Sequence, residues 1–276
     1  MIITVVGLGV IGGSYVQALK GLGHEVYGVD KDEKTLELAK KDECIIEGYK
    51  DGHDIISKSD LTIICLYPSL VLDFIKNHTF KKGSIVSDVV GIKSYFLRQA
   101  LDIIDEDVEY ISGHPMAGRE KKGYSYASKE VFKGANYIVI EHDKNKKESI
   151  DFMCEFVRQL GFRSVKIMSP YAHDEIISFT SQLPHIIAVA LMNSDNEKYE
   201  TGKYIGDSFR DLTRIANING DLWSELFYHN KDYLLESMER FEKQFDLLKE
   251  ALINNNERSL KEMFEQSSRR REKLEK

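Results

Sequence analysis

Three short segments of the chain carry side chains whose types and spacing could do chemistry. His114 stands in Ser112-Gly113-His114-Pro115-Met116-Ala117-Gly118-Arg119-Glu120, directly after an apolar β-like run over residues 109–113. An imidazole at such a strand end can accept a proton near neutral pH, and Pro115 with Gly118 forces a turn around it. The second segment, Ser181-Gln182-Leu183-Pro184-His185, lies inside an otherwise helical stretch over residues 171–194. A proline in a helix interior costs about 3 kcal/mol, and turning Ser181 or His185 into a pocket is one compensation. The third, Phe209-Arg210-Asp211-Leu212-Thr213-Arg214-Ile215-Ala216, puts two arginines four apart on one helical face, and guanidinium forks suit carboxylates. Taken singly, the second and third segments also fit a core histidine beside a kink and ordinary solvated charge. The eight histidines show no HxxxH or clustered Cys/His spacing, so no metal site is expected.

Positioning such groups requires a scaffold, and the first thirty residues specify it. An apolar run, Ile2–Val6, enters Gly7-Leu8-Gly9-Val10-Ile11-Gly12, a helical segment follows over residues 14–20, and the next β-like run closes on Asp30. Gly7 permits a tight turn, Gly9 lets backbone approach a pyrophosphate, and Gly12 lets the helix pack closely on the strand. Unpaired N–H groups at the helix start then face the phosphates. A carboxylate at position 30 accepts hydrogen bonds from a ribose 2′-hydroxyl and repels a 2′-phosphate, so NAD is favoured over NADP, with Lys31 and Lys34 softening the repulsion. Further β-like runs over residues 61–66, 84–89, 109–113, 137–141 and 164–168 alternate with helical stretches. That alternation predicts an α/β domain of Rossmann type, an open and mostly parallel sheet with helices on both faces. Ligands in such sheets sit beyond the carboxyl ends of strands, which adds Leu66, Tyr67 and Pro68 to the expected dinucleotide contacts.

After Pro170 the β-like runs cease. Leu234, Met238, Phe241, Phe245, Leu248 and Leu252 recur in alternating steps of four and three, a seam that packs on another helix either within the chain or across a dimer. Asn254, Asn255 and Asn256 end that helix, and Ser259 with Glu262 forms a capping box for the last one. The expected division is therefore a dinucleotide-binding domain over residues 1–169 and an all-helical domain over residues 170–276. At 276 residues the chain is long enough for two cores. A net charge of −7 argues against nucleic acid or an anionic membrane as the main partner. No stretch holds eighteen consecutive apolar residues, and three cysteines without CxxC spacing give no sign of an oxidising compartment, which leaves the cytoplasm as the expected location.

Together these pieces resemble the prephenate and arogenate dehydrogenase family of tyrosine biosynthesis. The resemblance rests on the glycine loop from Gly7 to Gly12, His114-Pro115-Met116-Ala117-Gly118, Ser181-Gln182-Leu183-Pro184-His185, the Phe209 to Ala216 stretch and Asp221-Leu222-Trp223. It implies an NAD-dependent oxidative decarboxylation, with His114 as the base at the C4 hydroxyl of a cyclohexadienol. By the same resemblance Ser181, His185, Gly118 and Arg119 line the substrate pocket, Arg214 clamps a carboxylate with Arg210 as a weaker candidate, and the helical domain forms a homodimer. Many members place a serine after the fourth strand that bonds the catalytic histidine. Here Asp88-Val89-Val90-Gly91-Ile92-Lys93 puts Gly91 in that place, leaving Ser112, Ser94 or water to orient His114. Prephenate is the expected substrate. Arogenate is the alternative that an acidic pocket residue such as Glu120 would favour, a β-hydroxyacid dehydrogenase would instead rely on a lysine of the helical domain, and a non-catalytic dinucleotide sensor is the remote reading.

Overall fold

The structure, a computed structural model, describes residues 1–118 and 121–274. Its first half alternates β1 (Ile2–Val6), α1 (Val10–Leu19), β2 (Glu25–Val29), α2 (Glu33–Lys41), β3 (Gly48–Tyr49), α3 (His53–Ile56), β4 (Leu61–Ile64), α4 (Pro68–Asn77), β5 (Ile85–Asp88), α5 (Ser94–Ile103) and β6 (Glu109–Tyr110). These six strands form one all-parallel sheet in the order β3-β2-β1-β4-β5-β6. That is the Rossmann order, whose chain reversal opens a crevice between the carboxyl ends of β1 and β4. Strand periodicity sorts the core onto the two faces. Ile3, Val5, Leu61 and Ile63 face one buried cluster, while Val6, Ile64 and Val86 face the other. Each such side chain contributes roughly 1.5–3 kcal/mol on burial, so the sheet that carries the loops is packed firmly on both faces.

The sheet ends at β6, earlier than the sequence pattern suggests. The run over residues 109–113 breaks after Tyr110, and β7 (Gly113–Pro115) starts a second sheet, antiparallel to β8 (Asn136–Ile140), which pairs in parallel with β9 (Ser164–Met168) behind α6 (Lys147–Gln159). Gly113 makes this crossing feasible, because a Cβ there would lie 2.0 Å from the Tyr137 hydroxyl on the neighbouring strand. His114 is thus the middle residue of β7 and not a residue beyond a strand end. β3 was not foreseen, since two residues carry no period-two signal.

Helices follow to the end: α7 (Pro170–Ile177), a π-turn (Ser178–Gln182), α8 (Leu183–Asn193), α9 (Asp207–Thr213), α10 (Gly220–His229), α11 (Lys231–Ile253) and α12 (Glu257–Lys273). The π-turn resolves the proline problem. One wide turn ends at Gln182, so that Pro184 falls in the first turn of α8, where a missing N–H costs nothing. The continuous run Pro170–Asn193 is long and apolar enough to span a bilayer, with a mean hydropathy of 1.3. Its buried polar residues His173, Asp174, Ser178 and Gln182 are all hydrogen-bonded inside the protein, while Tyr171, Ile176, Phe179 and Met192 of the same run are exposed. Two local expectations are corrected. Asn256, not Ser259, caps α12, its side chain accepting from the Ser259 N–H, while Glu262 pairs with Arg258. The α11 seam also divides, for Leu234 is buried whereas Phe241, Phe245 and Leu252 are exposed.

Candidate active site

A cleft of about 1010 Å³ runs from the α1 end of the Rossmann sheet to the helical half. Its floor holds Gly9, Val10 and Ile11 on one side and Leu66, Tyr67 and Pro68 on the other, the two lips of the crevice between β1 and β4. Gly7 has φ +82°, a left-handed conformation that suits glycine. A Cβ on Gly12 would meet the Gly7 carbonyl oxygen at 1.9 Å, whereas one on Gly9 would meet nothing within 4 Å. The loop is therefore tight where the helix packs and open where a ligand would lie. No side chain caps α1 at Gly9, so its first N–H groups face the opening, a ready anion site. Asp30 holds this loop through its Oδ2, which accepts from the Leu8 N–H at 2.7 Å, while Oδ1 accepts from Asp32 N–H. These features fit a dinucleotide: an open glycine for the pyrophosphate, and a strand-end carboxylate whose oxygens each keep capacity for a ribose hydroxyl.

The far end of the cleft is built from His114, Gly118, Ser181, His185 and Trp223. The His185 Nδ1–H donates to the Ser181 carbonyl at 2.9 Å, and its ring lies over Trp223 with centroids 3.7 Å apart. The wide turn brings both residues to the wall, the compensation that the proline suggested. Two contacts tie the halves together across the cleft. Glu225 of α10 accepts from the Ser69 N–H and hydroxyl at the start of α4, and Asn219 donates to the Tyr67 hydroxyl.

His114 is half-buried, and its orientation comes from a residue that the sequence did not single out. Its Nδ1 lies 2.8 Å from Nε2 of His173, whose Nδ1 lies 2.8 Å from Asp174 Oδ1. Neither Ser112 nor Ser94 takes this part. Ser94 instead donates its backbone N–H to Asp174, as does Lys93. Lys93, wholly buried, donates from Nζ to Asp88 Oδ1 at 2.9 Å and to the Gly113 carbonyl at 2.6 Å, which fixes the backbone beside His114. Burial, reinforced by the neighbouring His173 and Lys93, holds His114 well below the ordinary imidazole value. Burial also lowers His173, against the pull of Asp174. For Asp174 burial alone would raise the pKa, but hydrogen bonds from His173 and Ser94 outweigh it and keep the carboxyl ionised. Since a base acts unprotonated, a rate that depends on His114 should persist as pH falls through 6.5 and decline only below that. A pH profile of kcat/KM checks this, and an acid limb above pH 6.5 would refute it.

The remaining expected residues fall elsewhere. Gly7, Leu8 and Gly12 are buried behind the loop, and Asp30 stands beyond the cleft wall. Arg210 and Arg214 do not share a helix, because α9 ends at Thr213 and Arg214 opens a 3₁₀ turn, Arg214–Ala216. Both are exposed beside the cleft, whose wall here is Ile215 and Asn217 through Asn219. Arg119 and Glu120 lie outside the described residues. Lys121, Lys122 and Asp221 line the mouth, none of them foreseen as site residues. Among the described residues no group of three His, Cys, Asp or Glu side chains could hold a metal ion.

Comparison with known proteins places the whole chain. The family described as prephenate dehydrogenase, nucleotide-binding domain, matches residues 15–166, and that described as prephenate dehydrogenase, dimerization domain, matches residues 169–266. The prephenate dehydrogenase of Bacillus subtilis (strain 168) is 28% identical over 258 residues, covering 90% of this chain and 69% of its own length. The cyclohexadienyl dehydrogenase of Zymomonas mobilis is 26% identical, covering 98% and 94%. Among solved structures, prephenate dehydrogenase from A. aeolicus in complex with hydroxyphenyl propionate and NAD+ superposes with a TM-score of 0.90 at 26% identity, covering 99% of this chain and 98% of that one.

Proposed function

Since the chain belongs to the prephenate dehydrogenase family, we propose that it oxidises and decarboxylates prephenate to 4-hydroxyphenylpyruvate with NAD. The observation that carries this reading is the half-buried His114 in the same cleft as the open glycine loop, between a dinucleotide floor and a wall of Ser181, His185 and Trp223. When bound, NAD takes up the hydride that leaves C4 of the ring. His114 accepts the C4 hydroxyl proton as that C–H bond breaks, and its depressed pKa keeps it available for this near neutral pH. The C1–carboxylate bond then breaks, its electron pair completes the aromatic ring, and His114 returns the proton to the phenolic oxygen. His185 and Trp223 present a flat polar-aromatic wall to the six-membered ring, and Arg214 grips a substrate carboxylate from beside the cleft. The reaction balances as prephenate and NAD giving 4-hydroxyphenylpyruvate, carbon dioxide and NADH.

Charge at the mouth favours prephenate over arogenate. Lys121 and Lys122 outnumber Asp221 there, and prephenate brings two carboxylates with no ammonium. Asp221 is the one observation that favours arogenate, whose ammonium it could meet. NADH formation and carbon dioxide release, measured with each substrate and with NAD or NADP, decide the matter. The expected outcome is a higher kcat/KM for prephenate with NAD, and turnover of neither substrate would overturn the reading.

The division of labour extends along the chain. Residues 1–169 hold NAD and residues 170–276 form the substrate wall and a homodimer, for which the exposed Phe241, Phe245 and Leu252 of α11 and Phe264 of α12 supply apolar surface. Cys44, Cys65 and Cys154 are all free, which suits the cytoplasm. Asp30 discriminates between the two dinucleotides. Asp30→Ser should raise kcat/KM with NADP relative to NAD by about tenfold or more, one lost like-charge repulsion. An unchanged ratio would show that Asp30 does not face the ribose.

A further inference from the structure

The chain of contacts from Asp174 through His173 to His114 does more than hold a ring in place. Asp174 accepts backbone N–H groups on both oxygens, from Lys93 at 2.8 Å on Oδ1 and from Ser94 at 2.7 Å on Oδ2. It is thereby fixed as an acceptor. The 2.8 Å contact with His173 Nδ1 must then be an N–H donated by the imidazole. A neutral imidazole protonated at Nδ1 has its lone pair at Nε2, and that atom faces His114 Nδ1 at 2.8 Å. His114 must therefore donate from Nδ1, which leaves its lone pair at Nε2. A Cβ built on Gly91, on the cleft wall, would lie 3.8 Å from that Nε2. A serine at position 91 would reach the ring from the Nε2 side, whereas His173 holds it from the opposite nitrogen.

We propose that His173 and Asp174 are positioning residues that lock His114 in the tautomer whose basic nitrogen, Nε2, faces the cleft. The proposal rests on His114 being the base of the reaction given above. Both partners are buried, so water does not compete for the ring, and Asn230 secures the assembly by donating to the Asp174 carbonyl. As His114 takes up a proton at Nε2, its Nδ1–H stays on His173 and the positive charge is shared toward Asp174. No side chain has to move.

Two variants of similar size separate this role from packing. His173→Gln keeps a carbonyl that can accept from His114 Nδ1–H, whereas His173→Leu fills the space and offers no acceptor. His173→Leu should lower kcat on the order of 10²- to 10⁴-fold, the scale of a base held in the wrong tautomer, with KM for prephenate and Kd for NAD changed by less than about threefold. His173→Gln should recover kcat to within about tenfold of the native enzyme. If packing alone mattered, Leu would serve as well as Gln, and equal kcat values for the two variants overturn the proposal. Nitrogen-15 NMR of the histidine-labelled native protein gives a second readout that needs neither turnover nor a variant that folds. Neutral His114 should show an unprotonated Nε2 and a protonated Nδ1, and the reverse assignment overturns the proposal. Because this readout is independent of substrate, it stands even if prephenate proves not to be turned over, so the two failures are distinguishable.

Discussion

His114→Asn is expected to lower kcat with prephenate by about 10²- to 10⁴-fold, the usual contribution of a positioned general base, while Kd for NAD stays within about twofold of the native value. Asparagine can still occupy the middle of β7 and can still accept or donate one hydrogen bond toward His173, so β7 and its pairing with β8 should survive. What it cannot do is take a proton near neutral pH. The dinucleotide floor, Gly9 to Ile11 and Leu66 to Pro68, belongs to other loops, which is why cofactor affinity should not follow kcat. Steady-state kinetics with quenching of the single tryptophan, Trp223, separate the two quantities. An unchanged kcat would remove His114 from the chemistry.

Arg214→Ala is expected to act on the other kinetic constant. A guanidinium that meets a substrate carboxylate does so before and during reaction alike, and uniform binding of this kind appears in KM and not in kcat. A lost hydrogen bond to a charged group costs about 1.5–3 kcal/mol, or roughly a 10- to 100-fold rise in KM. Arg214 opens the 3₁₀ turn whose next residue, Ile215, lines the cleft, which sets the guanidinium beside the wall where the substrate is proposed to bind. Its exposed position also means that alanine there should leave folding stability almost unchanged. A normal KM with a collapsed kcat would move Arg214 from substrate binding into the chemical step.

Much of this architecture was legible in the residues because the strongest signals are local. Gly7 and Gly12 each carry a reason that depends only on the neighbouring turn, and the structure gives both the close packing expected of them, while Asp30 holds the same loop through the Leu8 N–H. Short apolar runs between helical stretches likewise marked β1, β4, β5 and β8 to within two residues. The breaks came where tertiary contacts decide. Whether residues 109–115 continue one sheet or start another depends on Tyr137, more than twenty positions away, fitting over Gly113. Pro184 announced a disturbance in the helix, yet that a π-turn would absorb it is set by Gln182 bonding to Leu226 and Asn230 of the following helices. The largest omission was His173-Asp174. Adjacent residues on a helix usually point apart, and nothing in the spacing says that one pairs with the other while the same carboxylate caps α5 from eighty positions away. The arginine pair shows the opposite error, for a spacing of four implies one face only if the helix continues, and α9 stops at Thr213.

The account stands on His114 Nε2 facing the reacting carbon's oxygen, and a crystal structure of the ternary complex with NAD and hydroxyphenyl propionate tests it most directly. The account predicts His114 Nε2 within about 3.2 Å of the phenolic oxygen, with Nδ1 still on His173 and the nicotinamide on the cleft floor. A ligand bound with its phenolic oxygen away from residue 114, or an imidazole turned out of the cleft, would contradict it.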